Sequence, residues 1–267
     1  MRKCSKRGLL VAALLLTSLL TGCTYESGEK QFAATAPQQP DAPQTESATE
    51  WLKTAIEKGN SDPDAQKFWY KGFVKNYILS RTTTSMFEGA VIRPDGYNVD
   101  ARIARQPYQY YRINDKHYVK VDENWMTAAE KPLPFDVLAG FDDLLPIMQN
   151  AVQLKDEPIY GEPSIPFQVK FTAGDWLQQS QSPLFADLKE QLAGRADIDE
   201  ILKNSTVKIT VWIGRNDHLL HQYETWIILP LPGGGTMDQQ VLFSFYKYND
   251  PGLQIKPPEE VEKYLLY

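Results

Sequence analysis

Cysteine is scarce in this chain of 267 residues: Cys4 and Cys23 are the two it has. That excludes a disulfide-dense mini-protein, a four-cysteine zinc site and a cysteine-ligated iron–sulfur cluster. Histidine is nearly as rare, with His117, His218 and His221. The sequence has no G-x-S-x-G elbow, no Walker A loop, no H-E-x-x-H and no G-x-G-x-x-G. It therefore names no activated nucleophile, phosphate cradle or zinc-binding helix. Basic charge is in deficit, with 28 Lys and Arg against 34 Asp and Glu and a pI near 5.2. That balance is the opposite of a nucleic-acid-binding footprint, and no nucleic-acid partner is expected. What the chain does have is 42% hydrophobic and 12% aromatic residues, enough for a sizeable core.

The N-terminus carries an address. Arg2, Lys3, Lys6 and Arg7 precede a short apolar run over 9–16, too short for a spanning helix of ~20 residues. The run leads into Leu20-Thr21-Gly22-Cys23. This resembles the bacterial lipobox, in which small residues admit a signal peptidase and the cysteine thiol receives a diacylglycerol. The resemblance implies that residues 1–22 are a lipoprotein signal peptide and that Cys23 is lipidated and becomes the first mature residue. Cys4 would leave with the signal, so the mature chain would hold no free thiol. It would also carry 24 basic against 34 acidic residues. Anionic headgroups would repel such a body weakly, leaving the acyl chains as the anchor. The expected location is extracytoplasmic, tethered to the membrane by lipid.

Residues 23–48 read as a flexible, Pro-rich tether. Pro37, Pro40 and Pro43 stand among Gln, Ser, Thr, Glu and Ala, and so few apolar residues cannot offset the entropy of ordering them. The remainder, 49–267, reads as one domain. Alternation dominates it. Over 97–103, Tyr97, Val99, Ala101 and Ile103 fall on one face; over 206–213, Val207, Ile209, Val211 and Ile213 oppose Thr206, Lys208, Thr210 and Trp212. Further strands are expected over 68–81, 84–92, 108–113, 118–122, 167–172, 219–229 and 241–248. Turn residues separate them, so the pattern predicts antiparallel hairpins with one dry and one wet face. Helical spacing predicts helices over 50–58, 135–151, 183–192 and 198–202, and a last one opening at Pro258. The fold class expected is α+β.

The order of these elements resembles a known family. Aromatic-rich hairpins reach Trp125 and a helical insertion follows. Val211-Trp212-Ile213-Gly214-Arg215-Asn216-Asp217 then leads to Leu219, and the chain closes on Tyr248-Asn249-Asp250 and Ile255-Lys256-Pro257-Pro258-Glu259-Glu260. This is similar to lipoproteins of the LolA/LppX/LprG type. The resemblance covers about 50–267. It implies a strongly bent antiparallel sheet, a half-barrel, with helices on its concave face and an acyl chain or glycolipid held between them. Gly214 departs from the family's usual Asp at that turn.

Residue chemistry offers little else. Asp217, His218 and His221 are close in sequence, but two histidines three apart on a strand point to opposite faces. Asn216-Asp217 is better read as a hairpin turn, and His117 as a solvated loop residue. Gly233-Gly234-Gly235 reads as a loop, and the acidic pairs Asp142-Asp143 and Glu259-Glu260 as solvated faces. No catalytic residue, metal ligand or cofactor is expected, and the chain does not read as an enzyme. The aromatics remain. Most are expected to fill the core, while the resemblance implies that some line a pocket: Phe73, Tyr77, Tyr108, Tyr110, Trp125, Phe141, Trp212 and Trp226. Two functions follow as expectations. One is a membrane-anchored lipoprotein carrying a hydrophobic or amphiphilic, lipid-like ligand. The other is a non-catalytic assembly protein that binds an envelope protein partner and no small molecule.

Overall fold

The computed structural model describes residues 47–78, 81–94, 96–103, 105–114, 116–121, 123–127, 141–174, 197–230, 234–256 and 258–261. All of them belong to the unit Pro37–Tyr267. The signal peptide, Cys23, the tether up to residue 46 and the helix expected over 183–192 lie outside the described residues; Ser47 and Ala48, expected as the end of the tether, instead cap and open the first helix.

The twelve strands of one antiparallel sheet are β1 (Lys67–Ile78), β2 (Arg81–Ile92), β3 (Gly96–Ile103), β4 (Gln106–Ile113), β5 (Lys116–Val121), β6 (Asn124–Thr127), β7 (Val152–Gln153), β8 (Glu157–Ile159), β9 (Glu162–Thr172), β10 (Thr206–Gly214), β11 (Leu220–Pro230) and β12 (Thr236–Tyr246). Their order is β6-β5-β4-β3-β2-β1-β12-β11-β10-β9-β7, with β8 also paired to β9. The two ends do not meet, so the sheet is an open half-barrel. β1 and β12 join its two hairpin-built halves across the middle.

Helices are few among the described residues. α1 (Ala48–Ser61) begins where the Ser47 hydroxyl accepts from the Glu50 N–H at 3.2 Å, an N-cap that satisfies one of the first-turn donors. Leu52 and Ala55 are its buried residues beyond the first turn, one narrow stripe that lies over β10 and β11. α2 (Leu145–Met148) is a single turn after a 3-10 turn at Asp142–Leu144. The periodicity over 135–151 predicts a longer helix. Within its described part, 141–151, Pro146 lacks the N–H that an upstream turn would need, so the helix starts afresh there and stops at Met148. α3 (Ile198–Lys203) precedes β10.

The alternation is realised, and its dry face is the inner one, which carries α1. Register places Val91, Gly89 and Phe87 of β2 opposite Phe68, Tyr70 and Gly72 of β1, and Phe245 and Phe243 of β12 on the other side. The expectation of one wet face fails on β10. Thr210 and Trp212, read as solvent-facing, are 1% and 8% exposed. The cause is β8, whose Glu157 carboxylate accepts from the Trp212 indole N–H and closes over that end of the outer face. A two-residue and a three-residue strand carry too little periodicity to be read from sequence.

Candidate functional site

The inner face is built by alternating large and absent side chains across neighbouring strands. One row runs Val119, Tyr110, Val99, Gly89, Tyr70, Phe245 from β5 to β12; the next runs Tyr108, Ala101, Phe87, Gly72, Phe243, Tyr223 from β4 to β11. The glycines are what let the rings lie flat. A Cβ on Gly89 would stand 2.0 Å from the Asn98 carbonyl oxygen and 2.7 Å from Tyr70 Oη; one on Gly72 would stand 2.5 Å from the Phe243 ring. Tyr70 lies over Gly89 and donates to the Asn98 carbonyl at 2.8 Å.

The result is a belt of rings along the inner face. Tyr97 meets Tyr110 edge-on at 6.0 Å and stacks on Tyr70 at 5.7 Å. Tyr70 meets Phe243 at 6.4 Å, Phe243 stacks on Tyr223 at 5.7 Å, and Tyr223 meets Phe141 edge-on at 5.0 Å. Offset and edge-to-face contacts of this kind stabilise beyond the area they bury.

Phenols in such a belt need partners. Tyr110 Oη shares a 2.7 Å hydrogen bond with His117 Nδ1. His117 is therefore a half-buried residue on β5, and not the solvated loop residue its Asp115-Lys116 neighbours suggest. Tyr108 Oη is buried and has no hydrogen-bond partner among the described residues. Burial, and then the neighbouring Tyr110 hydroxyl, push its pKa up to about 12. It stays a neutral phenol, free to donate, at any physiological pH.

A small cavity of about 180 Å³ opens beneath α1, lined by Leu52 and Ile56 of the helix and by Phe68, Phe141, Phe245 and Tyr248. Arg93 and Asn60 stand at its rim, where the guanidinium donates to Asn60 Oδ1 at 2.6 Å and to the Gly59 carbonyl. The volume is well below the ~300–1,000 Å³ of drug-sized ligand pockets. It is close to that of a dry, Leu/Ile/Phe-lined cavity of ~150 Å³ that accepts benzene. It suits the end of one apolar chain.

The turn from β10 to β11 fixes α1 in place. Trp51 stacks on His218 at 4.5 Å with planes 5° apart, and Lys58 Nζ donates to the Asp217 carbonyl at 3.0 Å. Asp217 shapes the turn: Oδ1 accepts from the Leu219 N–H at 2.9 Å and Oδ2 pairs with His221 Nε2 at 2.8 Å. Burial pushes the Asp217 carboxyl up, but the hydrogen bonds from His221 and the Leu219 N–H outweigh it and hold the group below its ordinary range. Gly214 leaves the room. A Cβ there would come within 2.0 Å of Asp217 Oδ1 and 2.8 Å of His221 Nε2. Strand parity does not govern His218, which has a φ of 57° and lies before β11 begins; it stacks on Trp51, while His221 is buried against Asp217. Among the described residues, no three His, Cys, Asp or Glu side chains are placed to hold a metal ion. No described helix is long and apolar enough to cross a membrane.

The eight aromatics singled out from the sequence divide between the two faces. Tyr108, Tyr110 and Phe141 join the inner belt. Phe73, Tyr77, Trp125, Trp212 and Trp226 fall on the outer face by register. There Lys75 covers the Phe73 ring at 4.4 Å, Lys208 covers Trp226 at 5.0 Å, and Trp125 meets Tyr111 at 5.7 Å. The structure does not bring the eight together. The belt residues that were not singled out are Tyr70, Tyr97, Tyr223 and Phe243. Their signal was parity: each shares its strand's buried alternation, which Phe73 and Trp226 do not.

No family model matches the chain, and no curated protein matches its sequence. Several solved structures are similar in shape. The Mycobacterium tuberculosis lipoprotein LppX matches with a TM-score of 0.44 at 12% identity, over 78% of this chain and 98% of that one. LprF from Mycobacterium bovis matches with a TM-score of 0.40 at 13% identity, over 79% and 96%. A LolA superfamily protein from Nitrosomonas europaea matches with a TM-score of 0.29 at 9% identity, over 79% and 96%. The architecture itself, an open antiparallel half-barrel with helices on its inner face, is the one expected from the order of sequence elements.

Proposed function

We propose that this chain is an extracytoplasmic lipoprotein, anchored through Cys23 and tethered by residues 23–48, that holds a lipid-like amphiphile against the inner face of its sheet. The observation that carries the reading is the Tyr108 hydroxyl, buried in the aromatic belt with no hydrogen-bond partner among the described residues. A buried hydroxyl left unpaired costs about 1–3 kcal/mol, a cost that a ligand oxygen at that position removes. The belt supplies apolar contact for hydrocarbon, and the cavity under α1 accepts a chain end. The lipobox supports the location.

The test is to purify the full chain from the membranes of its native host, extract it with organic solvent and identify the extract by mass spectrometry. An amphiphile present at near-stoichiometric amount, and depleted from Tyr108→Phe protein, is the expected result. Wild-type protein that yields no extractable lipid beyond the chains on Cys23 overturns the proposal.

A further inference from the structure

At its β4–β5 end the inner belt contains a group whose charge can change near neutral pH. Tyr108 and Tyr110 stand two apart on β4, so both side chains leave the same face, and both are buried. Their hydroxyls are close enough that Tyr110, after burial, is what raises the Tyr108 pKa. On its other side Tyr110 Oη lies 2.7 Å from His117 Nδ1, with the rings edge-on at 6.1 Å. Register fixes the rest of the surroundings. Arg112 is the direct cross-strand partner of His117, and Tyr97 is the partner of Arg112. β6 puts Asn124 and Met126 on the same face, neither of which titrates. The described neighbours of His117 on this face thus include two phenols and a guanidinium. A guanidinium keeps its charge and a buried phenol its proton between pH ~5 and ~8, the interval in which histidine changes charge.

The direction of the Tyr110–His117 hydrogen bond depends on that charge. A neutral imidazole has one N–H and one lone pair. The phenol is the stronger acid and so the better donor, and the ring nitrogen is the better acceptor. Tyr110 therefore donates to Nδ1 while His117 is neutral, and its oxygen turns a lone pair to the belt. In the imidazolium both ring nitrogens donate. Nδ1–H then points at Tyr110 Oη, and the phenolic hydrogen must rotate away from His117, towards the side of Tyr108. One proton on His117 thus converts Tyr108 and Tyr110 from a mixed donor–acceptor pair into a pair of donors, with no ring displaced.

We infer that His117 is a positioning residue that sets, through Tyr110, which kind of ligand oxygen the belt accepts. The inference rests on the reading that a ligand oxygen meets Tyr108. With His117 neutral the site favours a hydroxyl, which accepts from Tyr108 and donates to Tyr110. With His117 protonated it favours an ester carbonyl, which accepts from both. The mismatched oxygen leaves a buried donor or acceptor unsatisfied, and in a dry belt that loss is felt in full.

The experiment uses the full chain, stripped of extractable lipid, in nanodiscs of neutral phosphatidylcholine. The probes are a long-chain alcohol and the methyl ester of the matching fatty acid, each with a photoreactive diazirine in its chain. Both are uncharged throughout, so their own partitioning does not change with pH. They are offered as an equimolar mixture, and the two adducts are counted by intact mass after irradiation. From pH ~8 to ~5 the ester-to-alcohol ratio should rise about three- to tenfold, the range one hydrogen bond supplies. His117→Asn replaces the ring by an amide that does not titrate, and should hold the ratio fixed over that interval. Tyr110→Phe, which breaks the relay at its other member, should do the same. Nitrogen-15 shifts, with the His117 signal assigned by its loss in His117→Asn, should show Nδ1 without a proton at pH ~8. A protonated Nδ1 at that pH, or a ratio that stays flat in wild type or shifts equally in His117→Asn, overturns the inference. The ligand reading survives those results as long as both adducts form and Tyr108→Phe reduces them. Adducts no more abundant than in Tyr108→Phe at either pH overturn both.

Discussion

Replacing Tyr108 by Phe removes one oxygen from the buried inner face and nothing else. Its ring sits opposite Ala101 on β3, 8% exposed, and its hydroxyl finds no partner among the described residues. In the empty protein that hydroxyl contributes only its desolvation penalty, about 1–3 kcal/mol. The variant without ligand should therefore be more stable than wild type by that amount, a substantial part of the ~5–15 kcal/mol that holds a domain together. Most core substitutions destabilise, so the sign alone is diagnostic. With ligand the sign reverses in its consequence. Removing the penalty from the free state while deleting a bond in the bound state should weaken binding by about ten- to a hundredfold, at ~1.4 kcal/mol per factor of ten.

Two measurements check the two halves. Urea unfolding of full-length protein stripped of extractable lipid gives the first, read as a raised midpoint at unchanged slope. Lipid occupancy after purification from the host gives the second. The alkaline limb adds a third readout. Tyr108 has its folded pKa raised to about 12 from an ordinary 10, so the unfolded chain loses that proton first. Folding stability therefore falls further as pH climbs from ~10 towards ~12, where the unfolded chain is ionised at this group and the folded one is not. Tyr108→Phe should flatten that part of the profile. A lipid-stripped variant that unfolds at lower urea than wild type would refute the reasoning, because the hydroxyl would then have had a partner to lose.

Gly89→Ala should cost roughly 2–4 kcal/mol by urea unfolding, from overpacking and a displaced Tyr70 hydrogen bond; a change under 0.5 kcal/mol would show that the 2.0 Å approach to the Asn98 carbonyl is relieved for free. Asp217 is held below its ordinary range, so its contribution is full above pH ~4 and is lost as pH falls through its folded pKa. Asp217→Asn should accordingly destabilise at neutral pH and shallow the acid limb, while Trp51 fluorescence tracks release of the stack on His218; an unchanged acid limb argues against the pair. Cys23→Ser leaves no thiol to acylate. Detergent-phase partitioning and the added mass of the acyl chains should both vanish, with the unfolding curve of the domain unchanged.

Sequence and structure agree where a signal is periodic. The strands over 97–103 and 206–213, the inward parity of each, the stripe of α1 and the Asn216-Asp217 turn were legible because parity, spacing and turn chemistry are local properties. The faces of the eight aromatics were not. Phe73 and Tyr70 lie three positions apart in a segment where nearly every residue is bulky. Only the pairing of β1 with β2 and β12, contacts over long sequence distances, decides which parity turns inward. The glycines held a clue. Gly72 and Gly89 share the parity of Tyr70, and a glycine inside a strand marks a close approach by another group. A reading that treated them as windows for rings would have placed Tyr70 and Phe243 inside and Phe73 outside. Within 141–151, the described part of the expected helix, the short turn Leu145–Met148 stands in its place for a local reason, Pro146, which the apolar stripe masked.

The same parity rule bears on how the two faces can serve separate tasks. A half-barrel open at both edges exposes its outer surface, and a sheet with no second layer would ordinarily carry polar residues there. This one instead puts Leu242, Phe73 and Met86 side by side on three adjacent strands, with Glu88 and Asp100 opposed on the next row. The apolar row leaves area in water, while Glu88 stands between Lys71 and Asp100, one opposite and one like charge. Inside, the Tyr108 hydroxyl is a separate local cost, on the other face of the sheet. Because side chains alternate strictly, a substitution that tunes one face leaves the next residue's face untouched. An inner-face Tyr108 variant and an outer-face Met86 variant should therefore behave additively in urea unfolding when combined, within about 0.5 kcal/mol.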